Sequence, residues 1–374
     1  MPRKKVKVAE FVSRLESGGV ESMLLNYLGH FSHPEDFDIH IVTQDINDER
    51  CLQTFRDAGY HIDVVTHKKK SIYKNVVEIR HLLQGERFDV VHSHMTLMNF
   101  YVLFFASLTG TKLRISHSHN AFRSPNPLKL VYWSVLKPLN KWFANRWFAC
   151  GREAGIFLFG KHAVDGGKVT ILPNAIDLKR FAYNPIARAR IRKELGIGDK
   201  DFVVGHVGRF MDQKNHKYLI DIFASLVKKR PDSWLILVGT GELEKQMKDY
   251  VAERGLRNRV VFVGSVDNVN DYYQAMDVFA LPSKFEGLPV VAIEAQAADL
   301  PILISTNVDH SCAITDNAKF ASVDIAPSTW AAELLKMTNV SRGVEVQKQL
   351  QKAGYDIQTE AGRLEALYRD AREQ

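Results

Sequence analysis

Short β-branched apolar runs alternate with longer amphipathic stretches along the whole chain. Strands of a parallel sheet are buried on both faces and joined by helical crossovers, so they read as brief apolar runs between helical patterns. In the first half this pattern predicts strands at 6–10, 38–42, 61–65, 90–92, 112–116, 147–150 and 169–171, with helices between them such as 20–28 and 76–83. A second series opens at 202–207 and continues at 234–238, 260–263, 278–281 and 302–305. The expectation is an α/β protein with two doubly wound units rather than one large sheet. The pattern weakens after Asp309, and the polar-amphipathic stretch 357–372 predicts a closing helix. The richest apolar run, 99–108, is about half of the ~20 residues that span a bilayer and is expected as a buried helix.

Length and composition narrow the class. A chain of 374 residues suits two domains of ordinary size, and 45% hydrophobic with 25% charged content excludes a disordered chain. Cys51, Cys150 and Cys312 are far apart and odd in number, which argues against a disulfide framework and fits a reducing cytoplasm. The basic start, MPRKKVKVAEFV, has too short an apolar run for a signal peptide. The net charge of +7 is unevenly placed: residues 90–152 hold eight Lys or Arg, no Asp or Glu, and three of the five tryptophans, Trp133, Trp142 and Trp147. Such a stretch suits an anionic membrane surface or a nucleic acid. Tryptophans packed in a core beside solvated lysines would read the same way.

Candidate chemistry concentrates in 285–301, FEGLPVVAIEAQAADLP. Glu286 precedes a Gly287-Leu288-Pro289 turn, and Glu294 falls inside the helix expected after it, with Pro289 near the first position, where its missing N–H costs little. Two carboxylates, with the free amides of Leu288 and Val290 between them, suit a ligand with hydroxyls at both ends and a diphosphate in the middle, as in a nucleotide sugar. A carboxylate beside a diphosphate repels it, so each must face hydroxyls; Glu294 could instead be a helix-surface charge. Upstream, 203–215 supplies a strand, a turn at Gly208, then Arg209 and Lys214, with Asn215 expected to cap the next helix. Two cations at that spacing can grip one diphosphate, or be ordinary surface charges. Gly18 and Gly19, in SGGVE after the first strand, would let backbone approach a phosphate or sugar, although any β–α turn can use glycine. His92-Ser93-His94 and His117-Ser118-His119 put paired histidines on one strand face, a zinc geometry with no carboxylate or cysteine beside it in sequence. Asp36-Phe37-Asp38 is a formal D-x-D and reads as loop capping. Gly239-Thr240-Gly241 lacks the third glycine of a dinucleotide fingerprint, where Glu244 stands.

Set in PS-x-x-EGLP, with DVFAL before and EAQAA behind, the paired glutamates resemble the E-x7-E signature of retaining glycosyltransferases of family 4, also called group 1. SGGVE, HSHN and the 285–301 segment look most like the bacterial capsular and exopolysaccharide enzymes of that family. The resemblance implies the GT-B fold, two Rossmann-like doubly wound domains facing a cleft. It implies residues 1–178 for the acceptor, 179–356 for the nucleotide sugar, and 357–374 as a helix crossing back to the first domain. The hinge is LPNAIDLKRF, where Ala175 replaces a usual Gly; Asp299 is a second position where Gly is usual. By resemblance, Arg209 and Lys214 hold the donor diphosphate and stabilise the leaving group. Glu286 accepts from hydroxyls of the transferred sugar and Glu294 from those of the ribose. Gly239 and Gly241 bring backbone near the base, and Gly18 and Gly19 face the donor across the cleft. His119, followed by Asn120, lies by the sugar, with His117 as fallback and His92 and His94 packing or lining the cleft. The implied reaction is front-face transfer with retention, from a UDP-sugar donor to a saccharide or polyprenyl-diphosphate-linked saccharide. No metal or other cofactor is expected, nor nucleic acid as a partner. The expected location is cytoplasmic, at or near the inner face of the membrane. A nucleotide-sugar epimerase of the same fold and a non-catalytic nucleotide-sugar binding protein remain as alternatives.

Overall fold

The computed structural model describes residues 5–16, 18–121, 125–337 and 345–373. The first four residues of the basic start, Ser17 of the glycine loop and Arg123 lie outside that set. The chain divides into two compact units. One runs up to Ala175 and is rejoined by the segment from Asp356; the other is Ile176–Tyr355.

The first unit carries seven strands: β1 (Val6–Phe11), β2 (Phe37–Thr43), β3 (His61–Val64), β4 (Val90–Ser93), β5 (Leu113–Ser118), β6 (Arg146–Ala149) and β7 (Val169–Ile171). All pairs are parallel, in the order β3-β2-β1-β4-β5-β6-β7. The order reverses at β1, whose Val8 lies opposite Ile39 on one side and Val90 on the other. Ligands of open parallel sheets bind outside the carboxyl ends of strands flanking such a reversal, here β1 and β4. The closing helix Ile357–Glu373 belongs to this unit. It buries Ile357, Ala361, Leu364, Tyr368 and Ala371, one apolar stripe at helical spacing, in the same core as Val8 and Ile115. Helix Asn99–Leu108 buries Val102, Leu103 and Ala106 but leaves Leu108 67% exposed. The expected buried helix is therefore buried on one face only.

The second unit carries β8 (Phe202–Val207), β9 (Ser233–Val238), β10 (Val260–Gly264), β11 (Val278–Leu281), β12 (Ile302–Ser305) and β13 (Ala318–Ala321). These are also parallel throughout, in the order β10-β9-β8-β11-β12-β13. Here the reversal lies between β8 and β11. The edge strand β13 was not among those predicted, since AKFA is four residues long with a lysine inside it. Asp299 adopts φ +54°, a left-handed conformation that glycine takes without cost, which accounts for the usual Gly there. Asn317 Nδ2 donates to its carboxylate at 3.1 Å. Ala175, the other departure, is not at positive φ and its methyl is buried.

Candidate functional site

In the second unit, Gly208 follows the last residue of β8 and lies beside the turn that follows β9. A Cβ on Gly239, which has φ +133°, would fall onto the Gly208 carbonyl, and one on Gly241 would lie 2.5 Å from Phe210 O. The two loops thus meet backbone to backbone, and packing alone demands both glycines. Arg209 emerges exposed from this junction, and its guanidinium has no partner among the described residues. Lys214 ends the 3-10 turn Asp212–Lys214. Its Nζ donates to both Glu286 oxygens, at 2.9 and 2.8 Å, while Ser283 Oγ donates to Glu286 Oε1 at 2.5 Å. Lys214 and the first signature glutamate are therefore partners, where the sequence placed them as separate ligand groups. Asn215 occupies the expected cap position but does not cap. At φ +57° its side chain donates instead to Pro282 O at 3.1 Å, tying this turn to the segment after β11.

That segment passes through Gly287, where a Cβ would meet open space, to Pro289. Proline sits at the N-cap, one position earlier than expected, and helix Val290–Ala297 follows. The amides of Leu288 and Val290 have no acceptor among the described residues. Glu294, on the helix, is half-buried and accepts from Tyr273 O–H at 2.8 Å. Burial raises its carboxyl above the usual range; the Tyr273 hydrogen bond and the charges of Arg180 and Lys214 pull it back. Lys214, Glu286 and Glu294 thus gather outside the carboxyl ends of β8 and β11. Tyr273, Ser283 and Arg180 were missed. Only Ser283 carried a local signal, its place in PS-x-x-EG.

In the first unit, a pocket of about 310 Å³ brings together Gly18, Gly19, His119 and Asn120. It is also lined by Arg14, Glu21, His94 and Asn174, which the sequence reading did not select. Gly18 precedes helix Gly19–Gly29, and a Cβ there would lie 2.7 Å from Glu21 Oε2. The glycine makes room for that carboxyl, which burial pushes up to about 7. Behind the pocket lies a polar network that is buried except at His119, which is half-buried. His119 Nε2 is 2.8 Å from His94 Nδ1, and His94 Nε2 is 2.8 Å from Glu10 Oε2. Tyr368 O–H donates to Glu10 Oε1 at 2.6 Å and is 2.6 Å from His92 Nδ1; His92 Nε2 is 3.1 Å from His117 Nδ1. The ring nitrogens of His92, His94 and His117 converge closely enough for a metal, but these hydrogen bonds already engage five of the six. His117 Nε2 is the sixth and is buried without a partner. The D-x-D carboxylates diverge: Asp36 meets Arg369 at 3.5 Å, and Asp38 meets His61 at 3.3 Å.

The acid-free stretch forms helix Pro127–Phe143, with Asn126 Oδ1 accepting from Leu128 N–H at its start. Trp133 and Trp147 are half-buried against Phe157 and Phe159, as core packing requires. Trp142 is 79% exposed, alongside exposed Leu128, Leu130, Val131 and Val135. Among the described residues no helix is long and apolar enough to cross a membrane.

Residues 17–180 match the model described as Glycosyltransferase Family 4, and residues 187–356 match Glycosyl transferases group 1. A Bacillus subtilis protein named as a glycosyltransferase, EpsF, is 29% identical over 97% of this chain and 96% of its own length. The UDP-Gal:alpha-D-GlcNAc-diphosphoundecaprenol alpha-1,3-galactosyltransferase of Escherichia coli is 30% identical over 83% of this chain and 82% of its own. Among solved structures, Anabaena HepE in complex with UDP superposes with a TM-score of 0.72 at 17% identity, covering 97% of this chain and 95% of that one.

Proposed function

The chain belongs to glycosyltransferase family 4, with the two parallel-sheet α/β units of the GT-B fold, and from that premise we propose that it transfers a sugar from UDP to a lipid-linked saccharide, with retention, in capsule or exopolysaccharide assembly. The observation that carries this reading is the Lys214–Glu286 pair beside Glu294, at the carboxyl ends of the strands flanking the sheet reversal. A diphosphate entering between Arg209 and Lys214 competes with Glu286 for the ammonium. As Lys214 turns to the phosphate, Glu286 is left with free acceptor oxygens for sugar hydroxyls. One exchange of partners thus matches a cation to the anion and a carboxylate to the hydroxyls. Glu294, already fixed by Tyr273, takes the ribose hydroxyls.

The anomeric carbon–oxygen bond to the β-phosphate breaks as the acceptor oxygen bonds to that carbon on the same face. The acceptor's proton goes to the leaving phosphate oxygen. Arg209, Lys214 and the amides of Leu288 and Val290 stabilise the charge that develops there, as preorganised donors do in other transfer reactions. Those two cations and two amides neutralise the diphosphate without a metal. The pocket of the first unit, with Gly18, Gly19, His119 and Asn120, takes sugar hydroxyls. The names of the Escherichia coli relative and of the HepE complex support a UDP donor and a diphosphoundecaprenol-type acceptor. Helix Pro127–Phe143, with its exposed apolar residues beside Lys129, Lys137 and Lys141, supports residence at an anionic membrane.

A thermal-shift panel of nucleotides and nucleotide sugars tests the donor site. Stabilisation by UDP or one UDP-sugar is expected to persist in EDTA and to fade in Glu294→Ala. A shift that vanishes with EDTA would overturn the metal-independent reading. No shift with any uridine nucleotide would overturn the donor.

A further inference from the structure

Glu10 is the next-to-last residue of β1, with its side chain fully enclosed, and no Lys or Arg pairs with it among the described residues. An isolated buried carboxylate is costly, so what faces it decides its state. His92 and His94 approach from β4 and the loop after it, and His117 and His119 from β5 and its end. Tyr368 approaches from the closing helix, and Tyr60, before β3, feels the Glu10 charge. Burial holds all four histidines well below their ordinary value, to about 3 for His94, so all are neutral at pH 7. A neutral imidazole has one N–H and one bare nitrogen, so a chain of such rings fixes the tautomers of its members together.

The bookkeeping has two solutions. With Glu10 protonated, Oε2–H donates to His94 Nε2, His94 Nδ1–H donates to His119 Nε2, and His119 carries its single ring proton on Nδ1. With Glu10 ionised, every proton in the row has moved one bond along. His94 Nε2–H then donates to the carboxylate, His119 Nε2–H donates to His94 Nδ1, and His119 Nδ1 is bare. The two states differ by one proton, released at His119 Nδ1, a nitrogen with no protein partner among the described residues on a ring that lines the pocket. Tyr368 O–H donates to Glu10 Oε1 in both, so the branch through His92 to His117 does not change.

We propose that Glu10 is a positioning residue whose proton is exchanged through His94 and His119, so that its ionisation decides whether His119 presents an N–H or a lone pair to the pocket. This rests on the reading of His119 as a sugar-facing residue. In the N–H form His119 donates to a sugar oxygen; in the bare form it accepts from a sugar hydroxyl. Burial pushes the Glu10 carboxyl up to about 8 while Tyr368 pulls it down, so the exchange falls within the stable range of most proteins.

Nitrogen-15 spectra of the full chain labelled at histidine, with His119 assigned through His119→Gln, report the tautomer without reference to activity. In the wild type, His119 Nδ1 is expected to pass from protonated to bare with a midpoint near 8. Glu10→Gln is expected to keep Nδ1–H throughout, because the amide donates to His94 Nε2 as the acid does and still accepts from Tyr368. Tyr368→Phe, a conservative change, is expected to move the midpoint upward. One fixed His119 tautomer at all pH values in the wild type, or an unaltered midpoint in Glu10→Gln, would overturn the relay. The pH profile of donor turnover separates the two readings. A switching His119 with identical profiles in wild type and Glu10→Gln would leave the relay standing and remove His119 from sugar contact.

Discussion

Lys214 and Glu286 occupy each other, with side chains only 14% and 8% exposed, so each is poised for a partner exchange rather than screened by bulk water. Lys214→Ala and Glu286→Ala are each expected to cut turnover at least about tenfold, the scale of losing one charge-stabilising group, while the melting curve keeps one cooperative transition. Steady-state rates on folded variants check this, and unchanged rates would remove the pair from catalysis. Each residue was singled out, though not their pairing, because both sit in local motifs, a strand end followed by turn chemistry. Glu21 and Glu10 were not singled out, for different reasons. Glu21 stood inside a quoted motif that was read for its glycines. Glu10 stands in VKVAEFV, and its partner Tyr368 lies 358 positions away, a pairing that no local pattern encodes. Tyr273 was hidden likewise, as one aromatic among many.

At the scale of elements, twelve of the thirteen strands follow from apolar runs, and the exception is the edge strand β13. Period alone could not say which face of a helix finds a partner. Helix Pro127–Phe143 shows this: Trp133 packs edge-on against Phe157, whereas Trp142, stacked on its neighbour Phe143, stays 79% exposed. Burying one large apolar side chain is worth about 1.5–3 kcal/mol, so Val131→Asp with Trp142→Asp should lower association with anionic vesicles at least about tenfold. Flotation with and without salt reads both parts of the attraction, and equal recovery of wild type and double variant would exclude this helix as the contact. Neither residue lies in the two sites, so turnover on a water-soluble acceptor should not change.

Across the whole molecule, six buried histidines dominate the response to acid: His92, His94, His117 and His119 in one unit, His206 and His216 in the other. All are held below their ordinary value of 6.5, chiefly by burial, so the unfolded chain takes up protons that the folded one refuses. Their contribution is complete above pH 6.5 and is lost as pH falls, at up to about 1.4 kcal/mol per pH unit for each. Glu10, Glu21, Glu294 and Glu360, raised by burial, act oppositely, with their contribution complete below 4.5 and lost as pH rises, toward 7 to 8 for Glu10 and Glu21. Six groups outweigh four, so the melting temperature should fall between pH 7 and pH 5; a flat or rising profile would show that these histidines are not buried neutral. The closing helix has a separate consequence, in the order of synthesis. The core around β1 is completed by Ile357, Leu364 and Tyr368, which leave the ribosome only after the whole of the continuous unit Ile176–Tyr355. The usual rule that the amino-terminal unit folds first is thereby reversed. The unit Ile176–Tyr355 can finish folding while the unit before it waits, with part of its apolar surface uncovered, for the closing helix to arrive.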